Sequence, residues 1–118
     1  MAIYVFANGA YRHTLNIASA AWVLYSQAND LVSSGAVCIG PTTNNIVKYH
    51  ALLGLLTEAA SHNIDHLVVF IDSHLVISHL NHVYAIRNPA LLRLFQRVRL
   101  LERLFESIAI NTSQDITI

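Results

Sequence analysis

The chain has 118 residues, enough for one domain with a real core and too few for two. Hydrophobic residues make up 54% and charged residues 12%, with a mean hydropathy of +0.46, which excludes a disordered or heavily charged solvating chain. Seven Lys plus Arg against seven Asp plus Glu leave a formal net charge of +0, which argues against a domain that grips phosphate backbones through bulk charge.

The opening residues Met1-Ala2-Ile3-Tyr4-Val5-Phe6 carry no basic leader and no small-residue cleavage pattern, so they read as a first strand. Ile3–Phe6, Ala18–Tyr25 and Val32–Ile39 are short β-branched and aromatic runs. Asn8-Gly9, Gln27-Ala28-Asn29-Asp30 and Gly40-Pro41 separate or end them, which predicts a three-strand antiparallel meander. The longest apolar runs, Ala20–Tyr25 and Leu67–Ile71, fall far short of the roughly 20 residues of a membrane helix, so no membrane span is expected. The single cysteine, Cys38, forbids an internal disulfide and fits a reducing, intracellular compartment. Within Ala36-Val37-Cys38-Ile39 it reads as a buried structural thiol.

Thr42-Thr43-Asn44-Asn45 offers helix caps, and Val47, Ala51, Leu52, Leu55 and Ala59 recur at three and four until His62-Asn63, so a long helix lies on the sheet. Leu67–Ile71 is a continuous apolar run, the pattern of a strand buried on both faces, and a helical crossover before it allows parallel pairing with an earlier strand. Asp72 then sits at the carboxyl end of a central strand. After Asp72-Ser73 a short helix runs to about Leu80, followed by a loop through Tyr84 to Asn88-Pro89, where Pro opens another helix. In that helix Leu91, Leu94, Val98, Leu101 and Phe105 line one stripe, and five of the seven basic residues lie between Arg87 and Arg103. A last strand, Ile108–Thr112, completes the order β-β-β-α-β-α-α-β over one domain, residues 1–118, with no internal repeat or linker.

Three blocks together carry a resemblance. They are Phe6-Ala7-Asn8-Gly9-Ala10, Thr43-Asn44-Asn45-Ile46-Val47-Lys48-Tyr49-His50, and Ile71-Asp72-Ser73-His74-Leu75-Val76 followed by Leu80-Asn81. In order and spacing they resemble ribonuclease H domains of type 1, above all those within long-terminal-repeat retrotransposon polyproteins. Arg87-Asn88-Pro89 and Arg97-Val98-Arg99 strengthen the likeness. It implies an α/β fold with a mixed five-stranded sheet, the antiparallel meander plus parallel strands, flanked by helices. It also implies an enzyme that cuts the RNA strand of an RNA/DNA hybrid with two divalent cations, Mg²⁺ or Mn²⁺, held by acidic residues.

The chain departs from that pattern at the acids. Where the family carries Asp before Gly on the first strand stands Asn8, and where it carries Glu on the first helix stands Lys48. Asp72 alone keeps its acid. Ile110-Asn111-Thr112-Ser113-Gln114-Asp115 lacks the family's His-Ile-Pro-Arg pattern, so no final helix with a fourth acid is expected, and Asp115 reads as an exposed carboxylate. Asn8, Lys48 and Asp72 sum to zero charge, where the family sets about four carboxylates against two divalent cations, so no bound metal or cofactor is expected. Lys48 is expected to fill the metal's place and pair with Asp72; the alternative leaves it snorkelling into solvent. The family's hybrid-contacting positions fall on Gly9, Asn44, Asn45 and Ser73, although the last three also serve as helix caps.

His79 and His82 are three apart, a spacing seen in metal sites but weak without further ligands, and His13, His50, His62 and His66 read as surface or loop residues. Two functions remain open. The first expectation is a catalytically inactive domain turned protein-association module, a homo-oligomer or a protein's partner through apolar surface, because its composition is apolar and its charge neutral. Retained RNA or RNA/DNA hybrid binding is the companion expectation. The second is a surviving divalent-dependent ribonuclease.

Overall fold

The computed structural model describes residues 2–12, 17–40, 43–81 and 85–112. Eight elements follow in the expected order: β1 (Ala2–Arg12), β2 (Ile17–Tyr25), β3 (Leu31–Cys38), α1 (Asn44–Ser61), β4 (His66–Ile71), α2 (His74–Leu80), α3 (Pro89–Glu102) and β5 (Ser107–Thr112). The strands form one sheet in the order β3-β2-β1-β4-β5. β1–β2 and β2–β3 are antiparallel, and β1–β4 and β4–β5 are parallel, so the meander and the parallel half share β1 as their hinge line. His13, His82, Tyr84 and Asp115 lie outside the described residues, as does the stretch after Thr112 on which the expected loss of a final helix falls.

β1 is longer than its composition suggests. Asn8-Gly9 reads as a turn, yet both residues stay in the ladder, Asn8 opposite Ala21 and Gly9 opposite Ala20. Nine consecutive cross-strand pairs outweigh a local turn preference. The β2–β3 hairpin does use its turn residues: Asn29 adopts a left-handed φ of 64°, and Ser26 N donates to the Asp30 carbonyl at 2.8 Å.

α1 starts at the Thr43 N-cap, whose Oγ1 accepts from Ile46 N at 3.4 Å, and ends at His62, with Asn63 left-handed at φ 57°. Its predicted stripe, Val47, Ala51, Leu52, Leu55 and Ala59, is fully buried. α1 packs on β1 and β2, and α3 packs on α1. Leu91, Leu94 and Val98 of α3 join one core with Leu67, Val69 and Ile71 of β4. Each large aliphatic side chain so enclosed contributes about 1.5–3 kcal/mol.

Two expectations about burial need correction. β4 is not enclosed on both faces: its burial alternates, with Leu67, Val69 and Ile71 buried and His66, Val68 and Phe70 half-buried. Among the described residues the second sheet face is only partly covered. Cys38 is exposed, because β3 is an edge strand and its burial pattern is almost wholly open. The apolar neighbours of Cys38 therefore mark a bare strand edge, where Val37 is 44% exposed.

Candidate functional site at the carboxyl end of the central strands

Parallel pairing of β1 with β4 runs from Ala2 opposite His66 to Ala7 opposite Ile71. The next residues, Asn8 and Asp72, therefore stand where the parallel pairing ends, Asp72 just past β4 and Asn8 within β1, which continues against β2. A sheet with parallel central strands gathers its working residues at such carboxyl ends. α1 brings the third position there. Lys48 Nζ reaches across and donates to the Asp72 main-chain carbonyl at 2.5 Å.

Lys48 thus does not snorkel into solvent, nor does it form the expected ion pair. Its partner on Asp72 is the carbonyl, and among the described residues the two side chains form no ion pair. The Asp72 carboxylate is exposed and solvated at the bend after β4, whereas the carbonyl at a strand end has no ladder partner and takes the ammonium.

The cap residues divide unequally. Thr43, not Asn44 or Asn45, caps α1, so Asn44 and Asn45 occupy the first two helical positions, with Asn45 half-buried. Ser73 is the N-cap of α2: its Oγ accepts from Val76 N at 3.2 Å, and the residue is buried. Gly9 continues the ladder beside Asn8. The predicted positions Asn8, Lys48, Asp72 and Ser73 therefore meet at one end of the sheet, with Asn44 and Asn45 one turn before Lys48.

A brace behind the site is not visible in the residue spacing. Tyr49, next to Lys48, places its hydroxyl 2.7 Å from His79 Nδ1, both residues buried and their rings stacked with centroids 6.0 Å apart. This bond ties α1 to α2, the helix that begins at Asp72-Ser73. Burial pushes the Tyr49 hydroxyl well above its ordinary pKa, with the Arg99 charge acting in the opposite direction, and burial lowers the His79 pKa. His79 thus has its Nδ1 engaged by the Tyr49 hydroxyl. Arg99 extends the brace, donating to the Leu80 carbonyl at the end of α2 and pairing with Glu102 at 3.1 Å. The one sequence signal was two polar residues, Tyr49 and His79, inside otherwise apolar helix faces. His50 and His66, expected on the surface or in loops, are half-buried on α1 and β4.

The donor set does not fit a pair of divalent cations. The Lys48 ammonium lies on the Asp72 carbonyl, and among the described residues no group of three or more His, Cys, Asp or Glu side chains converges to hold a metal. The arrangement offers hydrogen bonding and a balanced local charge.

Comparison with known proteins fits this geometry. A family model described as reverse transcriptase-like matches residues 6–112. Ribonuclease HI of Halobacterium salinarum is 34% identical over 102 residues, which cover 86% of the chain and 50% of that protein. The chain therefore spans about half the length of this curated relative. The crystal structure of RNase H1 from the same archaeon superposes with a TM-score of 0.88 at 32% identity, over 95% of this chain and 85% of that one. The N-terminal RNase H domain of a Mycobacterium tuberculosis protein gives 0.87 at 23% identity, over 95% of this chain and 86% of that one. LC11-RNase H1, solved in complex with an RNA/DNA hybrid, gives 0.84 at 21% identity, over 93% and 83%. A family match across nearly the whole chain, joined to the close superposition on the archaeal RNase H1, shows that the chain belongs to the reverse transcriptase-like family and has a ribonuclease H-like fold.

Proposed function

We propose that the chain is a ribonuclease H-like domain that does not cleave and acts by association, with a protein partner first and an RNA/DNA hybrid second. The observation that carries this reading is the Lys48 ammonium on the Asp72 carbonyl, at the place where cleavage chemistry would need converging carboxylates. With Asn8 beside it, the site has lost two negative groups and gained a positive one relative to the family pattern. Apolar exposure supports association: Leu31 at 62% and Val37 at 44% lie on the bare β3 edge. Retained hybrid binding is supported by the bound hybrid in the structural neighbour LC11-RNase H1 and by Asn45, which the Thr43 cap leaves unengaged as a cap.

The test is cleavage of an RNA/DNA hybrid with Mg²⁺ and with Mn²⁺, comparing the unaltered chain with Asn8→Asp plus Lys48→Glu. No cleavage by the unaltered chain is expected. Divalent-dependent cleavage by it, abolished in Asp72→Asn, would return the domain to the nucleases. Light scattering of the unaltered chain at micromolar concentration, with and without hybrid, separates the two kinds of association.

A further inference from the structure

The side of α1 opposite Lys48 forms a second feature that the site does not use. At 100° per residue Ile46, His50, Leu53 and Thr57 share one stripe, about half a turn from Lys48. This stripe and α3 border a continuous trough. One part, about 500 Å³, is lined by Trp22, Val37, His50, Gly54, Glu58 and Arg97 among others. The other, about 360 Å³, is lined by Ile46, His50, Ala90, Arg93, Leu94 and Arg97. His50 and Arg97 belong to both, so the two hollows are one trough.

Its chemistry is lopsided. Arg93 and Arg97 stand one helical turn apart, both exposed, and neither forms an ion pair among the described residues. The trough's single lining acid, Glu58, is already engaged, accepting from Trp22 Nε1 at 2.7 Å. The floor between them is apolar, with Trp22, Leu53 and Val37 in one hollow, the Trp22 ring packed against Gly54, and Ile46, Ala90 and Leu94 in the other. Leu100 continues the Arg93–Arg97 stripe of α3 and is 61% exposed. Ile46 to Ser61 gives the trough a length of ~22 Å along α1, about four helical turns.

We propose that the α1–α3 trough binds an acidic amphipathic peptide segment of another protein, with carboxylates one turn apart on Arg93 and Arg97 and apolar side chains over Ile46, Leu94 and Leu100. Guanidinium forks match carboxylates two at a time, and an apolar floor matches the buried face of a short helix laid in a groove. A phosphate backbone would satisfy the arginines but leave the apolar floor and Leu100 without a counterpart. This inference rests on the reading of the chain as an association module and names the partner's chemistry.

The test is fluorescence anisotropy with a labelled synthetic helix of about 15 residues, matched to the trough's length, bearing Leu on one face and Glu beside it. Saturable binding is expected, weakened about tenfold or more by Arg93→Glu plus Arg97→Glu. The same peptide with Lys in place of Glu is expected to recover affinity for the doubly reversed chain, whose circular dichroism melt checks that it is folded. Absence of binding, binding indifferent to the reversal, or equal binding of a Gln-for-Glu peptide overturns the proposal. So does a loss of RNA/DNA hybrid binding, rather than peptide binding, in the reversed chain. Light scattering separates the two failures: an assembly that persists in a chain blind to the peptide overturns the trough alone, whereas a monomer blind to peptide and hybrid overturns association as well.

Discussion

Restoring the two missing acids gives a readout independent of catalysis. Asn8→Asp with Lys48→Glu changes the formal charge at positions 8, 48 and 72 from zero to minus three and removes the 2.5 Å hydrogen bond from Lys48 Nζ to the Asp72 carbonyl. A charge-assisted bond of this kind contributes about 1.5–3 kcal/mol when enclosed, and less at this partly open site. Repulsion among three neighbouring carboxylates adds about 1 kcal/mol at low salt. Without divalent ions the variant should therefore be less stable by about 2 kcal/mol, or ~8 °C at roughly 4 °C per kcal/mol for a domain of this size. A free ion at about ten times its dissociation constant returns about 1.4 kcal/mol, so Mg²⁺ should recover ~6 °C. The assay is thermal unfolding with Mg²⁺ titrated at constant ionic strength. The unaltered chain should show no Mg²⁺-specific shift, and neither should Lys48→Met, which keeps the stem but supplies no carboxylate. A shift in the unaltered chain equal to that of the variant, or none in either, would refute the argument that the Lys48 ammonium displaces the metal.

Three further outcomes follow from the packing. Gly54→Ala in α1 should lower the melting temperature although Ala favours helix by about 1 kcal/mol, because the new Cβ would lie 2.4 Å from the Trp22 ring, which also sits 2.4 Å from a Cβ built on Gly35 and so has nowhere to go. A net loss of about 1–2 kcal/mol is expected, relieved in combination with Trp22→Leu; a raised melting temperature would contradict the ring's position. The His79 pKa is lowered from 6.5 by burial, so the unfolded chain binds the proton more readily. Its share of stability is accordingly full above pH 6.5 and declines as the pH falls through that value toward the lower folded one, with His50 contributing in the same direction. Denaturant midpoints across this range should fall less steeply in His79→Gln than in the unaltered chain. Cys38, exposed on the β3 edge, should react fully with a thiol reagent in the native chain, and a thiol released only by denaturant would restore the buried reading.

The parts of the fold that were legible in the chain are those written in local chemistry. Ser73 and Asn88-Pro89 announce two helix starts that the structure realises with side-chain caps, and the α1 stripe from Val47 to Ala59 is buried as its period requires. The misreadings share a cause, the position of a strand within the sheet. Asn8-Gly9 stays extended because β1 goes on pairing with β2 as far as Arg12, past the end of its pairing with β4 at Ala7, whereas Cys38 is open because β3 is an edge strand paired on one side. Neither fact is a property of the residues themselves. The site was legible as positions and not as contacts: the place of Asp72 at the carboxyl end of a central strand followed from the apolar run before it, but whether Lys48 would take the carboxylate or the carbonyl depends on which group the bend leaves without a partner. The Tyr49–His79 bond joins residues thirty apart in the chain and has no local signature.

That brace bears on how a site can change its charge and keep its shape. Lys48 and Asp72 sit on different elements, and their meeting depends on α1 and the start of α2 being held in register. Tyr49 to His79 and Arg99 to the Leu80 carbonyl supply that hold from residues outside the acidic positions. The geometry of the strand ends is thus maintained by packing and buried hydrogen bonds, and the charge on positions 8 and 48 is free to change without dismantling it. An ammonium in the acid's place goes further than a neutral substitution, because it satisfies a carbonyl that water would otherwise solvate and sets a positive charge where a cation would have to enter. Tyr49→Phe should therefore loosen the Lys48–Asp72 contact and lower stability by about 1–3 kcal/mol, the penalty of leaving buried His79 without its partner, without creating any response to Mg²⁺. If it did create one, the brace rather than the ammonium would be what keeps metal out.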